Sequence, residues 1–420
     1  MPKFLIETRD RDLRRTGVIE HYTVLDVIPR YCDVGSWTVT VPAGSADADL
    51  LQPGHGVVIW TEGYDKPVLS GSLEQIKHSW SAGDPGQGSV TFSGRSDEVV
   101  LWSRATYPQP DRSVTEQTAD TYSVSAPAGR AITDIVNLNA GPGARASRRV
   151  RGLTVTPSGD GPAVQFTSRF DVLGERCRSV ALAAGLGFRA VQTATDEIGF
   201  EVFIPRDRSE TVVFSKDRNL REFEYTMRAP EAQRFFLAAQ GEGSLRYILP
   251  FIQDTPGSSG VVPDVYETSN SSEPPTGAWY TYWTERFLDR RDIPLAYNES
   301  RQVIVPETEQ PATPEELAAM PTAANEGAVD FAESAALSIT PIQTPDLVFG
   351  RDYMLGDRVS VEINGVYLTD ILREVRLSDS NTEGPSIRPV IGTDDSTETP
   401  FIYQQVRKLW ANLRQLESRR

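Results

Sequence analysis

The fold is decided by a stretch that occurs twice, first as Gly54-His55-Gly56-Val57-Val58-Ile59 and again as Gly356-Asp357-Arg358-Val359-Ser360-Val361. A second pair of similar stretches follows. Gly71 to Ile76 comes after the first copy, and Asp370 to Val375 comes after the second. Gly94 then corresponds to Gly392. An internal repeat of this kind predicts one small β domain present twice.

The repeat is split by an insertion. Before the first stretch, Asp10-Arg11-Asp12-Leu13-Arg14 resembles Asp217-Arg218-Asn219-Leu220-Arg221, at an offset of about 207 residues, whereas the later pairs are about 300 residues apart. We therefore expect about 90 additional residues inside the second copy.

Composition sets the outer bounds. With 420 residues, the chain exceeds what a single core usually serves, so two to four domains are expected. The 32 Gly and 29 Pro residues indicate many turns, as in a β-rich protein. The net charge of −16 argues against binding of nucleic acid through a neutralising basic face. It suits either plain solubility or a surface that nucleic acid passes without sticking.

The sequence predicts a mainly β fold with an α+β part. Residues 1–107 contain several short alternating segments, such as Ser36 to Val41, and are expected to form a small barrel or sandwich. Residues 108–210 are expected to form an α+β domain with a helix over 169–184, which Ser168 and Asp171 would cap and Gly185 would end. The remaining predicted parts are a second, discontinuous β domain at 211–245 and 340–398, an insertion domain at 246–339 and a C-terminal helix at 399–420.

The C-terminal helix carries a heptad seam of apolar residues spaced by four, three, four and three. The seam consists of Ile402, Val406, Leu409, Leu413 and Leu416. Because an isolated helix this short is marginal in water, it needs a partner. It either docks on its own chain or bundles with copies or another protein, and we predict that it is an oligomer or partner interface.

Residues that transfer protons, attack substrates or bind metals are scarce. His21, His55 and His78 lack ligand spacing, and Cys32 and Cys177 form neither a Cys-x-x-Cys motif nor a disulfide framework. No phosphate loop and no Gly-x-Ser-x-Gly motif are present. We therefore predict no catalytic residues, no cofactor and no metal. No apolar run approaches the ~18 residues that a membrane-spanning helix needs, and no signal peptide is expected.

Two features leave alternatives open. The aromatic run Trp279 to Trp283 is an aromatic β core or an interface, or the sugar platform of a glycoside hydrolase that uses two carboxylates. The basic cluster is a solvated loop, a contact for an acidic protein or a phosphate contact; it consists of Arg145, Arg148, Arg149 and Arg151.

Several segments resemble siphophage tail hub proteins from phages of actinobacteria. The stretch Gly350 to Val359, with Asp352, Tyr353 and Asp357, followed by Ile371, Val375 and Ile391-Gly392, looks like their C-terminal barrel. Four further segments resemble the same family: Val68 to Gly71 with Phe92 to Gly94; Asn137 to Arg149 with Gly185 to Phe188; Val213 to Ser215 with Asn219, Leu220 and Tyr225; and Gly241 to Gly243 with Arg246. The resemblance extends from about residue 3 to residue 397.

This resemblance implies a structural, non-enzymatic tail-tip or baseplate hub, similar to the trimeric hub of contractile phage tails. Two tail-tube-like β-barrels per chain would form a pseudo-sixfold ring in a homotrimer, which would adapt a sixfold tube to a threefold tip. The implied partners are a distal tail protein ring, the tape measure protein and tail fibre or receptor-binding proteins, with DNA only in transit. The alternatives are the hub of a phage-derived injection device, a receptor- or glycan-binding module, and an enzyme.

Overall fold

The structure is a computed structural model, and it describes most of the chain up to residue 392. The described residues are 4–62, 64–82, 86, 88–216, 218–253, 261–270, 279–291, 293–329, 331, 334–342, 347–363, 365–382 and 384–392. The C-terminal helix expected at 399–420 lies outside them.

The first part of the chain consists of seven strands, as the alternating pattern predicts. In β4, Trp37, Val39 and Val41 are buried, while the residues between them carry hydroxyl groups at the half-buried positions. The strands are β1 (Phe4–Arg9), β2 (Arg15–Ile19), β3 (Val24–Ile28), β4 (Ser36–Pro42), β5 (Gly56–Thr61), β6 (Leu69–Ser79) and β7 (Ser89–Ser96).

The next part contains three helices and five strands. Its elements are α1 (Val99–Trp102), β8 (Tyr122–Pro127), α2 (Ala128–Asn139), β9 (Leu153–Val155), β10 (Ala163–Ser168), α3 (Leu173–Ala183), β11 (Gly187–Ala194) and β12 (Glu197–Phe203). The core of this part joins α2 and α3 to β11 and β12 through Ile132, Val136, Leu173, Phe188 and Phe200.

The predicted capping of α3 is wrong at its N-terminus and right at its C-terminus. Helix α3 begins at Leu173 rather than 169, and Ser168 Oγ donates a 2.7 Å hydrogen bond to Asp171 instead of capping a helix. Strand β10 ends at Ser168, the chain bends at Phe170, which has φ +54°, and Val172 is extended, so no helical turn forms before Leu173. Gly185 has φ +68°, the left-handed conformation that ends helices.

The described residues of the rest of the chain form thirteen strands and three helices, most of them short. They are β13 (Val213–Ser215), β14 (Leu220–Arg228), β15 (Arg234–Ala238), β16 (Ile248–Gln253), β17 (Val261–Pro263), α4 (Val265–Ser269), β18 (Glu285–Asp289), β19 (Ala296–Tyr297), β20 (Val303–Val305), β21 (Gln310–Pro311), α5 (Pro314–Leu317), α6 (Ala319–Val329), β22 (Ser334–Pro341), β23 (Arg358–Ile363), β24 (Val366–Ser380) and β25 (Ser386–Gly392). The fold is therefore mainly β with few helices.

The strand order repeats within the largest sheet. The first set is ordered β3-β4-β7-β6-β5-β1, with β2 beyond β1, and the second set is ordered β14-β22-β25-β24-β23-β13. Strands β24 and β3 join the two sets, from Leu377 opposite Val27 to Ser380 opposite Val24. Among the described residues these pairings form one continuous sheet and close no barrel, in contrast to the two barrels that the resemblance implies.

The turns that precede β5 and β23 show the repeat in atomic detail. Gly54 and Gly356 have φ values of +91° and +88°, which glycine adopts without the strain of a side chain. In each copy, the backbone carbonyl of the residue after this glycine accepts a hydrogen bond from the next strand. Leu73 N–H donates to His55 O at 2.9 Å, and Leu372 N–H donates to Asp357 O at 2.8 Å. The stretch that is repeated in sequence is therefore repeated in backbone hydrogen bonding.

The chain divides into two compact units. The first comprises Met1–Glu222, Ile339–Ser360 and Thr369–Val390, and the second comprises Phe223–Ser338, Val361–Leu368 and Ile391–Arg420. The second unit contains a four-stranded sheet ordered β17-β16-β15-β18 and a three-stranded sheet ordered β19-β20-β21. Its core includes Phe235, Leu237 and Phe251 of the four-stranded sheet, with Met320 and Ala324 of α6.

Candidate functional site

A buried polar network in the first unit joins the first strand set to the α+β part. Arg9, at the end of β1, donates two hydrogen bonds to Asp97, which follows β7, at 2.8 and 2.5 Å. Gln192 of β11 accepts a third from Arg9 at 3.0 Å. Ser70 of β6 donates to Asp97 at 2.5 Å and accepts from the Gln192 N–H at 2.7 Å. All four side chains are buried, so each charge is paired where water is excluded.

A cavity of about 280 Å³ lies beside this network. Its walls are mostly apolar and aromatic, and its polar groups include Glu98, Arg206 and Asp357. Arg206 donates to both carboxylate oxygens of Asp357, at 2.8 and 2.6 Å. Glu98 accepts the Ala190 N–H at 3.0 Å. Burial raises the pKa of Glu98 to about 7, because the Ser96 and Ala190 hydrogen bonds only partly offset the loss of water, and the Asp97 charge adds to the rise.

The groups around the cavity are committed to structural partners. Asp97 and Asp357 each hold an arginine, and Ser70 Oγ is engaged by both Asp97 and Gln192. Within the described ranges, no group of three His, Cys, Asp or Glu residues is placed to hold a metal ion. The geometry therefore suits a rigid joint between two structural parts better than acid–base or nucleophilic chemistry.

The three histidines and two cysteines named in the sequence analysis do not form a common site. His21 is an exposed neighbour of Asp47, His55 Nδ1 lies 3.2 Å from Leu50 O, and His78 lies on the exposed part of β6. Cys32 and Cys177 are both buried and unbridged, and burial raises the pKa of the Cys177 thiol. Both cysteines behave as small buried side chains.

The basic cluster is neither a free basic patch nor a fully solvated loop. Arg148 lies 3.7 Å from the ring centroid of Tyr107 and donates to Asn139 and Ala105 O. Arg149 donates to Ala144 O at 2.8 Å. Arg145 and Arg151 form ion pairs with Glu116 and Asp12. Because each guanidinium has a partner within the chain, the cluster stabilises the loop after α2.

The aromatic run precedes a strand rather than forming one. Residues 279–284 lie before β18, and the rings of Tyr280 and Tyr282 stack with centroids 5.3 Å apart. Trp283 lies under the guanidinium of Arg234, which is 4.6 Å from its ring centroid. Arg234 also donates to Asp264 at 2.7 Å. The run thus supplies one half-buried ring contact within the second unit and leaves Trp279 and Tyr282 exposed.

The predicted seam of Ile402, Val406, Leu409, Leu413 and Leu416 lies outside the described residues. In the part of the chain that the structure describes, no helix is both long enough and apolar enough to cross a membrane.

Sequence reasoning did not find Arg9, Asp97, Gln192 or Glu98. These hydrogen-bond partners are far apart along the chain, with Arg9 and Gln192 separated by 183 positions, so no local sequence pattern predicts their contact. One signal was present in the sequence. Arg9 ends strand β1, in which Ile6 is buried and which pairs with the apolar strand β5. An arginine at such a position needs a buried partner.

Solved structures with a similar fold are phage tail proteins. The tail protein of Neisseria meningitidis MC58 is 12% identical, with a TM-score of 0.51 over 94% of this chain and 98% of that one. The 43 kDa tail protein of prophage MuSo2 from Shewanella oneidensis is also 12% identical, with a TM-score of 0.52 over 94% and 99%. At this identity the likeness shows a shared fold. No curated protein matches the sequence significantly.

The family model of the Siphovirus ReqiPepy6 Gp37-like proteins matches residues 5–393. This range covers the repeat, the α+β part and the insertion, and it confirms the resemblance to siphophage proteins that the motifs indicated. The chain therefore belongs to the Siphovirus ReqiPepy6 Gp37-like protein family.

Proposed function

We propose that the protein is a structural component of a phage tail or baseplate, and that it acts there as a trimeric hub. The observation that carries the proposal is the duplicated strand order within one continuous sheet. A chain with two equivalent strand sets can present six similar modules in a ring of three copies. Such a ring would match a sixfold tube on one side and a threefold tip on the other.

The strand sets also suggest how the modules are divided along the sequence. We propose that residues 1–107 and the discontinuous segments 211–245 and 340–398 are the two tube-like modules. Each would complete a barrel-like ring with its neighbours, since a single chain leaves strand β2 at a sheet edge. Residues 108–210 and 246–339 would be the α+β and insertion domains outside the ring.

The proposed role is to close the tail tube and anchor fibres while DNA passes. The formal charge of −16 supports a channel wall that repels the phosphate backbone. The partners would be a distal tail protein ring, the tape measure protein and fibre or receptor-binding proteins, with the protein located at the virion tail tip after assembly in the host cytoplasm. The side chains of the buried network bind one another, with Arg9 held by Asp97 and Gln192, and this favours a structural role over catalysis.

The native mass of the purified chain tests the proposal. Light scattering over a concentration series is expected to give about three times the chain mass of 46.4 kDa. A monomer at every concentration, together with no assembly on addition of tail partners, would contradict the hub.

The seam Ile402, Val406, Leu409, Leu413 and Leu416 is proposed as an assembly contact of this hub. Replacing Leu409 and Leu413 by Asp places two charges on the seam and is expected to abolish the trimer while the strands stay folded. The matched control is Gln404→Asp with Gln415→Asp, which adds the same charge off the seam. A trimer that survives in the first variant would make the segment an internal brace.

A further inference from the structure

The four-stranded sheet of the second unit has one face covered by α6 and a second face that is partly exposed, which we call the open face. Residues alternate between the faces, and paired residues on neighbouring strands share a face. Phe235 and Leu237 of β15 and Phe251 of β16 point to the core, where Met320 and Ala324 of α6 pack. Arg234, Phe236 and Ala238 therefore point to the opposite face, which α6 does not cover.

The open face carries a row of apolar side chains across all four strands. Phe236 is paired with Pro250 on one side and with Phe287 on the other, Ala238 is paired with Ile248, and Ile252 is paired with Val262. Phe287, Ile248 and Val262 are 51%, 40% and 37% exposed, whereas Ile252, Ala238 and Arg234 of the same face are buried. Three large apolar residues exposed on one sheet face indicate a surface that has a partner.

The accessible charge on this face is mainly acidic. Glu267, Glu285 and Asp289 are about half exposed, whereas Arg234 and Arg246, which pair with them, are largely buried. Arg291, whose side chain is also exposed, lies 3.5 Å from Asp289. An occupant of this face should therefore combine an apolar stripe with a basic border.

The sequence contains one segment with those two properties. Residues 402–416 carry the apolar seam, and Arg407, Lys408, Arg414, Arg419 and Arg420 accompany it. A helix of this length is about 22 Å long, which is enough to cross four strands spaced about 4.8 Å apart. The seam has about two heptads, fewer than the three to four that sustain a coiled coil, so a preformed apolar surface is a better partner than another isolated helix.

We propose that residues 402–416 of a second copy of this chain dock on the open face formed by Phe236, Ile248, Pro250, Val262 and Phe287. The proposal rests on the hub proposed above and names the contact that holds neighbouring copies together. Each copy would give its C-terminal segment to the next and receive one, which is a head-to-tail contact that closes in a ring of three.

Cysteine cross-linking in the full-length chain tests the contact. We would combine Phe287→Cys with Leu409→Cys, oxidise the purified protein and separate it on a non-reducing gel. The native Cys32 and Cys177 are buried and do not compete. The expected result is covalent species of two and three chain masses that disappear on reduction. The matched control is Tyr367→Cys with Leu409→Cys, since Tyr367 is also exposed but lies on β24 of the largest sheet, and it should give monomer only.

Each other outcome contradicts the proposal. A cross-link within one chain would show that the segment docks on its own sheet. Equal cross-linking in Phe287→Cys alone would show that the open faces of two copies meet, and no cross-link would show that residue 409 of another copy does not lie beside Phe287. Light scattering on the same unoxidised variant keeps the two proposals distinct. A trimer without the interchain cross-link leaves the hub intact and overturns this contact, whereas a monomer counts against the hub itself.

Discussion

The two strand sets share an order but differ at one corner. In the first set, β3 and β4 are joined by residues 29–35, whereas the equivalent strands β14 and β22 are separated by residues 229–333. The second connection holds a complete domain with its own core. The module is thus defined by its strand pairing. A connection at the end of a sheet accepts a large insertion because the entropic cost of closing a loop rises slowly with loop length.

The sets also differ in how ion pairs hold them. In the first set, Arg9 and Asp97 are buried together and bind Gln192 of the α+β part. In the second, Arg206 holds Asp357 at the start of β23, but the arginine side chain is 41% exposed. Water can therefore replace the partner of Asp357 more readily than it can replace the partner of Asp97.

The largest expected effect follows from this difference. Arg9→Leu leaves the Asp97 carboxylate buried without a cation and is expected to lower the free energy of unfolding by about 3–5 kcal/mol. Arg206→Leu, the matched change in the second set, should cost less, about 1–2 kcal/mol, because solvent reaches the arginine although Asp357 itself is buried. Urea unfolding followed by circular dichroism measures both.

A double variant is the control for the first change. Arg9→Leu with Asp97→Leu removes both charges and should recover most of the stability lost in the single variant, because no unpaired charge remains. Equal losses in Arg9→Leu and Arg206→Leu would refute the distinction between a buried and an exposed anchor.

The repeated glycines offer a smaller, closer comparison. Both Gly54 and Gly356 require positive φ, so alanine at either position strains the backbone by about 1 kcal/mol. A side chain at Gly356 would also lie 3.0 Å from the Tyr31 ring and 3.1 Å from the Phe203 ring, whereas at Gly54 only Arg11 lies within 4 Å, at 3.7 Å. We expect Gly356→Ala to destabilise by about 2 kcal/mol and Gly54→Ala by about half of that. Thermal unfolding of the two variants compares them directly, and the reverse order would mean that the two turns are not equivalent.

Much of the β architecture could be predicted from the sequence, because its signals are local. The alternation in β4 and the glycines before β5 and β23 each fix a conformation within a few residues. The boundary of α3 could not be predicted in this way. Ser168 and Asp171 fit a capping pattern, but Ser168 is paired with β8 and bonds to Asp171, and the chain bends at Phe170, so the helix begins only at Leu173.

The buried joint was beyond sequence reasoning for a different reason. Arg9, Ser70, Asp97 and Gln192 come from four strands or strand ends, and only the tertiary fold brings them together. Likewise, the basic cluster after α2 looked like a charged surface because the partners of its members, such as Tyr107 and Asp12, are distant in sequence. The sequence shows which charged side chains need a hydrogen-bond or ion-pair partner when they are buried, but only the fold shows which residue is that partner.

The smallest effect concerns pH and has opposite signs in the two sets. Burial raises the pKa of Glu98 to about 7 from the ordinary 4.5, so the folded state binds a proton more tightly than the unfolded state does. Stability therefore falls as pH rises from about 4.5 to about 7, by on the order of 1 kcal/mol for a partly accessible side chain.

Glu98→Gln should remove this slope, so that its unfolding free energy stays level between pH 5 and pH 7 relative to the parent protein. Glu374 of β24 is the matched case. Burial raises its pKa, but Arg30 and Arg376 outweigh burial and hold the pKa below the ordinary value. Glu374→Gln should therefore cost stability at neutral pH, and the difference from the parent should shrink as pH falls below about 4. Urea titrations at four pH values would separate the two slopes. A parent protein and a Glu98→Gln variant with the same slope between pH 5 and pH 7 would mean that Glu98 keeps an ordinary pKa, with water reaching it through the cavity.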